Sequence, residues 1–433
     1  MSDPFRTSTA DPQLSSRLPA NIYQRADGLT LIHQEIEAVP VVVTDIWVDA
    51  GARHEYPEDS GLAHFLEHMI FKGTDRLSPG AFDCAIEGRG GATNAATSHD
   101  YAHFYITTAD RDFEATLPDL CDLLLRAKIP DDEFELEREV VYEEIAQYRD
   151  NPDDCLFAAT MASLYPASAY GRPVLGTRDR LESLTPETMR QFHRQYYQPH
   201  NMTVTIVGNV SFDRARDALE RHCTDFRPPA SYRDDRPVSA PPRQTQICRD
   251  ILELPNLELA RLNLAWHGPG VENLRDGYVL DAIAMILSGG RSSPLVRELR
   301  EQRQWVQAIG SYFSLQQDSG LFSISAWLDA TYLQNVEEAI VARLAELHDT
   351  AIAPAVLERA KRQLCNDFVF STETPSQLAG LYGYYHTLDR ADRAFDYPRE
   401  IATISPEEIT TVARRYLATD AYTATIAICE PAT

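Results

Sequence analysis

One design occurs twice in this chain, 220 residues apart, and that repetition limits the fold more than any other feature. Thr185-Pro186-Glu187 leads through Tyr196-Tyr197 to the apolar run from Met202 to Val207. Ser405-Pro406-Glu407 leads through Arg415-Tyr416 to the run from Tyr422 to Ala427. In each copy a hydroxyl residue precedes a proline, as a helix N-cap precedes its first turn. The offset is constant (405 − 185 = 220), and an internal repeat of this length reads as two copies of one structural unit. At 433 residues the chain also exceeds one ordinary core. The Pro-rich stretch from Arg227-Pro228-Pro229 to Pro241-Pro242 separates the copies. The expected architecture is α+β: residues 1–226 and 244–433 as two homologous α/β domains, joined by a linker at 227–243. Each domain is a mostly antiparallel sheet with helices on one face.

The chemistry concentrates in Ser60-Gly-Leu-Ala-His64-Phe-Leu-Glu67-His68-Met-Ile-Phe-Lys-Gly73. Ser60 is a candidate cap for a short helix and Gly73 a candidate terminator. His64 and His68 are four residues apart and project from one helix face, with Glu67 beside them. Almost every other residue here is apolar, so the helix belongs in an interior. Two imidazoles and a carboxylate buried there need partners. Two satisfied core histidines are the plain reading of the motif alone. A divalent metal is the simplest partner for both rings, and His-x-x-Glu-His is the inverted zinc-protease motif, with Glu67 as general base.

A second helix is expected from Asp131 to about Arg149, ending before Asn151-Pro152. Phe134, Val141 and Tyr148 recur on one face, and Glu137 and Glu144 fall between them. Carboxylates inside an apolar stripe call for a partner. Seven residues is two turns, so both carboxylates share a face about 10 Å apart. Residues 92–97 and 101–108 read as a strand pair bent at Ser98-His99-Asp100. Carried forward by 220, the motif becomes Ala284, Leu287 and Ser288, so the second domain has the framework without metal ligands.

Lys plus Arg is 40 against Asp plus Glu 65, a net charge of −25, which disfavours nucleic acid as a partner. No apolar run approaches the roughly 20 residues of a membrane span. Residues 1–20 carry no signal-peptide core, which points to the cytoplasm. Seven cysteines are scattered singly, as reduced thiols rather than a disulfide framework.

With these segments in hand, the chain resembles the pitrilysin-type zinc peptidases, in particular the two-domain branch of the mitochondrial processing peptidase beta subunit. The resemblance rests on Gly51-Ala-Arg53-His-Glu55, Gly61 to Thr74, Gly90-Gly-Ala-Thr-Asn94-Ala95-Ala-Thr-Ser98 and Glu137-Arg-Glu-Val-Val-Tyr-Glu-Glu144, and the duplication covers the whole chain. It implies one zinc ion on His64, His68 and Glu144, the last lying 76 residues after the second His (144 − 68 = 76). It implies Glu67 as general base and Glu137 as a residue orienting a ligand. The segment from Gly91 to Thr97, with Asn94 and Ala95, would receive the substrate backbone by strand addition, and the two domains would enclose a chamber. Family members that work alone carry, in the second half, an Arg and seven residues later a Tyr that reach the bound peptide. Here Arg300 is present but Gln307 occupies the Tyr position. The chain therefore looks like the zinc-bearing subunit of a heterodimer whose homologous, metal-free partner supplies the Tyr. Its alternatives are a self-sufficient homodimeric peptidase, with Tyr312 in the Tyr's place, or a non-catalytic assembly subunit.

Overall fold

The structure, a computed structural model, describes residues 19–166, 168–229, 244–255 and 257–430. The expected linker therefore lies largely outside the described residues.

Six strands form the first sheet: β1 (Asn21–Gln24), β2 (Thr30–Glu35), β3 (Val41–Val48), β4 (Ala92–Thr97), β5 (Ala102–Ala109) and β6 (Met202–Gly208). Five form the second: β7 (Cys248–Leu254), β8 (Ala260–Gly268), β9 (Val306–Leu315), β10 (Gly320–Leu328) and β11 (Thr423–Cys429). Their orders are β1-β2-β6-β3-β5-β4 and β7-β11-β8-β10-β9. Apart from β1, the two orders are the same. Each sheet is antiparallel except for one pair, β2 with β6 and β7 with β11. The duplication inferred from sequence is thus a duplication of topology. The helices Pro186–Tyr196 and Pro406–Tyr416 that revealed it are capped by the Thr185 and Ser405 side chains.

Strand periodicity decides which face meets the helices. On β5, Ala102, Phe104, Ile106 and Thr108 are buried while their neighbours are only partly so. Ala102, Phe104 and Ile106 join Val42, Ile46 and Val204 of the same sheet in a core with the helices Leu62–Ile70, Phe113–Leu125, Pro186–Tyr196 and Phe212–His222. The second half repeats this core around Leu264, Phe322 and Ile324.

The opposite face of each sheet is not left bare. One helix from the other half crosses over it. Pro375–Leu388 lays Leu378, Ala379 and Tyr382 on Ile32, Val43 and Val207 of the first sheet. In return, Pro152–Leu164 lays Leu156 against Ala427, and Met161 and Leu164 against Ala265 and Leu321, on the second. Polar contacts fix each register: Asn263 donates to Thr160 Oγ1 at 3.0 Å, and Tyr382 Oη donates to Gln34. The β4–β5 and β9–β10 turns also meet. Asp100 accepts from Tyr170 Oη at 2.7 Å and from the Gln317 amide at 3.2 Å, and it pairs with Arg53 at 3.0 Å.

Cys121 and Cys223 lie 102 residues apart in sequence but have Cα atoms 5.5 Å apart, and they are joined as a disulfide. This differs from the expectation of reduced thiols throughout, because folding brings the ends of two helices together across a separation that spacing does not reveal. Among the described residues, no helix is long and apolar enough to cross a membrane.

Gly383 tests the crossover. A Cβ there would run into the Trp47 indole of β3. Gly383→Ala is expected to destabilise the chain by about 1–3 kcal/mol through overpacking, read as a lower unfolding midpoint followed by Trp fluorescence. An unchanged midpoint would show that the helix is not seated tightly on the first sheet.

Candidate metal centre

The motif helix, Leu62–Ile70, sits between β3 and β4 with seven buried residues, including Leu62, Phe65, Leu66 and Met69. Its start differs from the sequence expectation. Ser60 does not cap it. The N-cap is Gly61 at φ +96°, a left-handed conformation that suits glycine. The free amides of the first turn go instead to a buried carboxylate: Gly61 N donates to Glu55 Oε2 at 3.0 Å and Ala63 N to Oε1 at 2.7 Å. Burial pushes the Glu55 carboxyl up to about 8, against the pull of these two bonds.

The expected second helix runs Asp131–Asp150 and packs on the motif helix, with the Phe65 and Phe134 rings 4.6 Å apart. Phe134, Glu137 and Val141 are buried, Glu144 is partly buried, and Glu143 is exposed. Helix phase therefore turns Glu137 and Glu144 toward the motif. Glu144 Oε2 lies 3.6 Å from His64 Nε2 and 3.3 Å from His68 Nε2. Glu137 Oε1 accepts from His68 Nδ1 at 2.9 Å, and its other oxygen pairs with Lys72. The His64 and His68 rings are 4.8 Å apart, edge to face.

The donor set decides whether a divalent ion fits. Two imidazole nitrogens and one carboxylate oxygen lie within 4.8 Å of one another, the one such group of His, Cys, Asp and Glu among the described residues. Tetrahedral zinc with bonds of about 2.0–2.1 Å holds its ligand atoms roughly 3.3 Å apart, which matches the spacing of Glu144 to both rings. The set fits. Glu137 holds His68 Nδ1 and so leaves Nε2 facing Glu144, the arrangement that orients a ligating imidazole. Among the described residues His64 has no such support, and its Nδ1 is buried without a hydrogen-bond partner. Burial disfavours charge on His68, but Glu137 and Glu144 outweigh it and raise the ring to about 9. The hydrogen bonds of His64 and then His68 hold the Glu144 carboxyl well below the usual range. The two carboxylates favour positive charge at His68 Nε2, and a dication held there would take the place of the proton.

Glu67 faces the sheet. Thr97, the last residue of β4, donates through Oγ1 to Glu67 Oε2 at 2.5 Å. Among the described residues β4 is an edge strand paired only with β5, with Asn94 opposite Tyr105 and Ala95 opposite Phe104. The structure thus brings His64, Glu67, His68, Glu137 and Glu144 together, and joins the strand of Asn94 and Ala95 to them through Thr97. Arg300 is not joined to this group: it lies in the short π-helix Val296–Gln302, and its guanidinium bonds Glu301. Sequence reading missed Glu55, Lys72 and Thr97. Lys72 had a signal, standing four residues after His68 on the same face. Glu55 and Thr97 reach the helix through tertiary contacts that no spacing announces.

Comparison with known proteins agrees with this geometry. The Insulinase (Peptidase family M16) pattern matches residues 31–178, and the pattern described as Peptidase M16 inactive domain matches residues 183–364. An uncharacterized zinc protease of Mycobacterium leprae is 30% identical over 381 residues, covering 84% of each chain. The uncharacterized zinc protease YmxG of Bacillus subtilis is 29% identical over 405 residues, covering 92% of this chain and 96% of its own. The crystal structure of a protease from Helicobacter pylori superposes with a TM-score of 0.88 at 26% identity, covering 95% of this chain and all (100%) of that one. A peptidase M16 inactive domain structure from Pseudomonas fluorescens shares the fold, with a TM-score of 0.84 at 19% identity over 96% of this chain and 100% of its own. Matched in both halves, and along most of its length by relatives named as zinc proteases, the chain belongs to peptidase family M16.

Proposed function

We propose that this chain is a zinc endopeptidase acting on peptides or unfolded polypeptide segments. One observation carries the reading. Three ligand atoms of His64, His68 and Glu144 converge beside Glu67, and Glu67 is tied through Thr97 to an open strand edge. His64, His68 and Glu144 would hold one zinc ion, and zinc when bound supplies Lewis acidity toward a carbonyl and lowers the pKa of water.

The chain's own groups do the rest. β4 offers its unpaired N–H and C=O groups to an extended peptide, with Asn94 and Ala95 in the receiving stretch. Thr97 occupies Glu67 Oε2, which leaves Oε1 to take a proton from the attacking water. Glu67 then delivers that proton to the leaving amine. Glu137 keeps the proton of His68 on Nδ1, and Lys72 balances the charge of Glu137.

Gln307 supports a divided enzyme. It is exposed at the start of β9, where the family resemblance places a Tyr, and an amide is a poorer substitute for a phenol at a developing oxyanion. Tyr312 lies five residues further along the same strand, about 16 Å away by strand rise, so it does not take the position of Gln307. A homologous, metal-free subunit carrying the Tyr completes the site in this reading, and Arg300 meets substrate from the second half. A non-catalytic role is disfavoured by the complete His64, Glu67, His68 and Glu144 set.

The test is hydrolysis of a quenched-fluorescent basic peptide by the zinc-loaded chain, with bound metal measured in parallel. Glu67→Gln is expected to lower turnover by about 10² to 10⁴-fold while metal content is kept. Turnover that survives this substitution would remove Glu67 as the base. Robust turnover by the chain alone would remove the need for a partner. Zinc bound without turnover would support the divided enzyme.

Glu137→Gln is expected to weaken metal affinity by about 10 to 100-fold, measured by competition with a chelator. Unchanged affinity would leave Glu137 with a packing role only.

A further inference from the structure

A cavity of about 240 Å³ lies in the second half, away from the motif helix. The helix Leu274–Ser288 lines it with Tyr278 and Asp281, β9 with Phe313, and the crossover helix Pro375–Leu388 with Tyr384 and Tyr385. At about 30 Å³ per water, it has room for roughly eight waters.

Its polar groups are unusual for this protein. Four buried carboxylates have a cation or an imidazole beside them, Asp100 with Arg53, Glu337 with Arg249, Glu137 with Lys72 and Asp45 with His103, and Glu55 has two backbone amides. Among the described residues, the partly buried Asp281 carboxylate has the Tyr397 hydroxyl as its one hydrogen-bond partner, and desolvation lifts the carboxyl to about 7. Tyr278 is 4% exposed, and its Oη is buried with no hydrogen-bond partner among the described residues. Both groups line one space, and both are short of a partner.

We propose that this cavity binds a primary alkylammonium group. The cation answers the uncompensated Asp281 carboxylate, and an ammonium N–H supplies the donor that Tyr278 Oη lacks as an acceptor. Four aromatic walls favour an organic cation over its neutral counterpart. Phe313 and Leu274 give an apolar bed for the alkyl stem. A divalent metal is a poorer fit, because a single carboxylate among neutral phenols falls short of the oxygen ligand set such ions take. An anion would face Asp281. The inference stands apart from the peptidase reading, since it uses neither the metal cluster nor Glu67.

The test is calorimetric titration of the full chain with n-butylammonium chloride, with butan-1-ol as the neutral counterpart and ionic strength matched throughout. Saturable binding of one ammonium per chain is expected, with butanol at least about tenfold weaker. Asp281→Asn is expected to loosen binding by about tenfold or more. Tyr278→Phe removes an unpartnered hydroxyl, so it should weaken binding with the unfolding midpoint unchanged or higher. That variant decides the matter if Asp281→Asn fails to fold. Two further probes separate the sources of the amine: Nα-acetyl-lysine amide offers a side-chain ammonium, and Nε-acetyl-lysine amide a chain-terminal one. Binding of either supports the proposal and names the source. Equal binding of butanol, indifference to both substitutions, or no saturable binding of the ammonium overturns it, the last leaving a cavity filled by water only.

Discussion

Two helices with mostly apolar facing sides hold two carboxylates against two imidazoles, and the first half is built to keep them there. Charges placed in such a seam are tolerated only when each has a partner at hydrogen-bonding distance. Glu137 has two, His68 on one oxygen and Lys72 on the other. The separation of the helices is set by stacked apolar residues, Phe65 on Phe134 among them. The starting point of the motif helix is set by Glu55, which takes its first amides. Were that helix to turn or slide by one residue, both rings would leave the carboxylates, and the buried His64 and Glu137 would lose those partners. The geometry of the candidate site and the stability of the seam are therefore one constraint.

The parts of this arrangement that depend on helix phase were legible before any coordinates. Spacing alone separated Glu144 from Glu143, and the structure shows one facing the histidines and the other in solvent. The strand pair 92–97 and 101–108 was found nearly to the residue, because alternation and the Ser98-His99-Asp100 bend are local signals. What stayed hidden is contact between distant segments. Glu55 stands in a segment that carries the family resemblance, but its bonds to the motif helix form only when the chain folds back over it. Thr97 reads as one more strand threonine until its hydroxyl meets Glu67. Cys121 and Cys223 look unrelated across 102 residues. The two crossover helices look like any amphipathic segment, because a sequence states that a face is apolar and not which sheet it covers.

The second half shows what the same frame does when the polar seam is absent. At the positions equivalent by offset to the motif stand Ala284 and Leu287, both buried, and Ser288, which is hydrogen-bonded to Ser311. Apolar packing holds that helix without any ion, so the metal chemistry is not a condition for the fold. The frame carries a different polar group one turn earlier, at Asp281, on the side where the crossover helix arrives. One scaffold thus presents different chemistry in its two copies, according to which helix positions are polar.

The exchange of helices between the halves has a consequence for how such a chain is assembled. Each sheet obtains the cover for its outer face from the other copy, by the same element in the same place, Pro152–Leu164 in one direction and Pro375–Leu388 in the other. This is the connectivity of a domain-swapped dimer written into a single polypeptide. A chain of half the length would meet the same need by trading that helix with a second molecule of itself. Cutting this protein at its midpoint would accordingly leave two fragments that complete one another, and neither would be a finished globule.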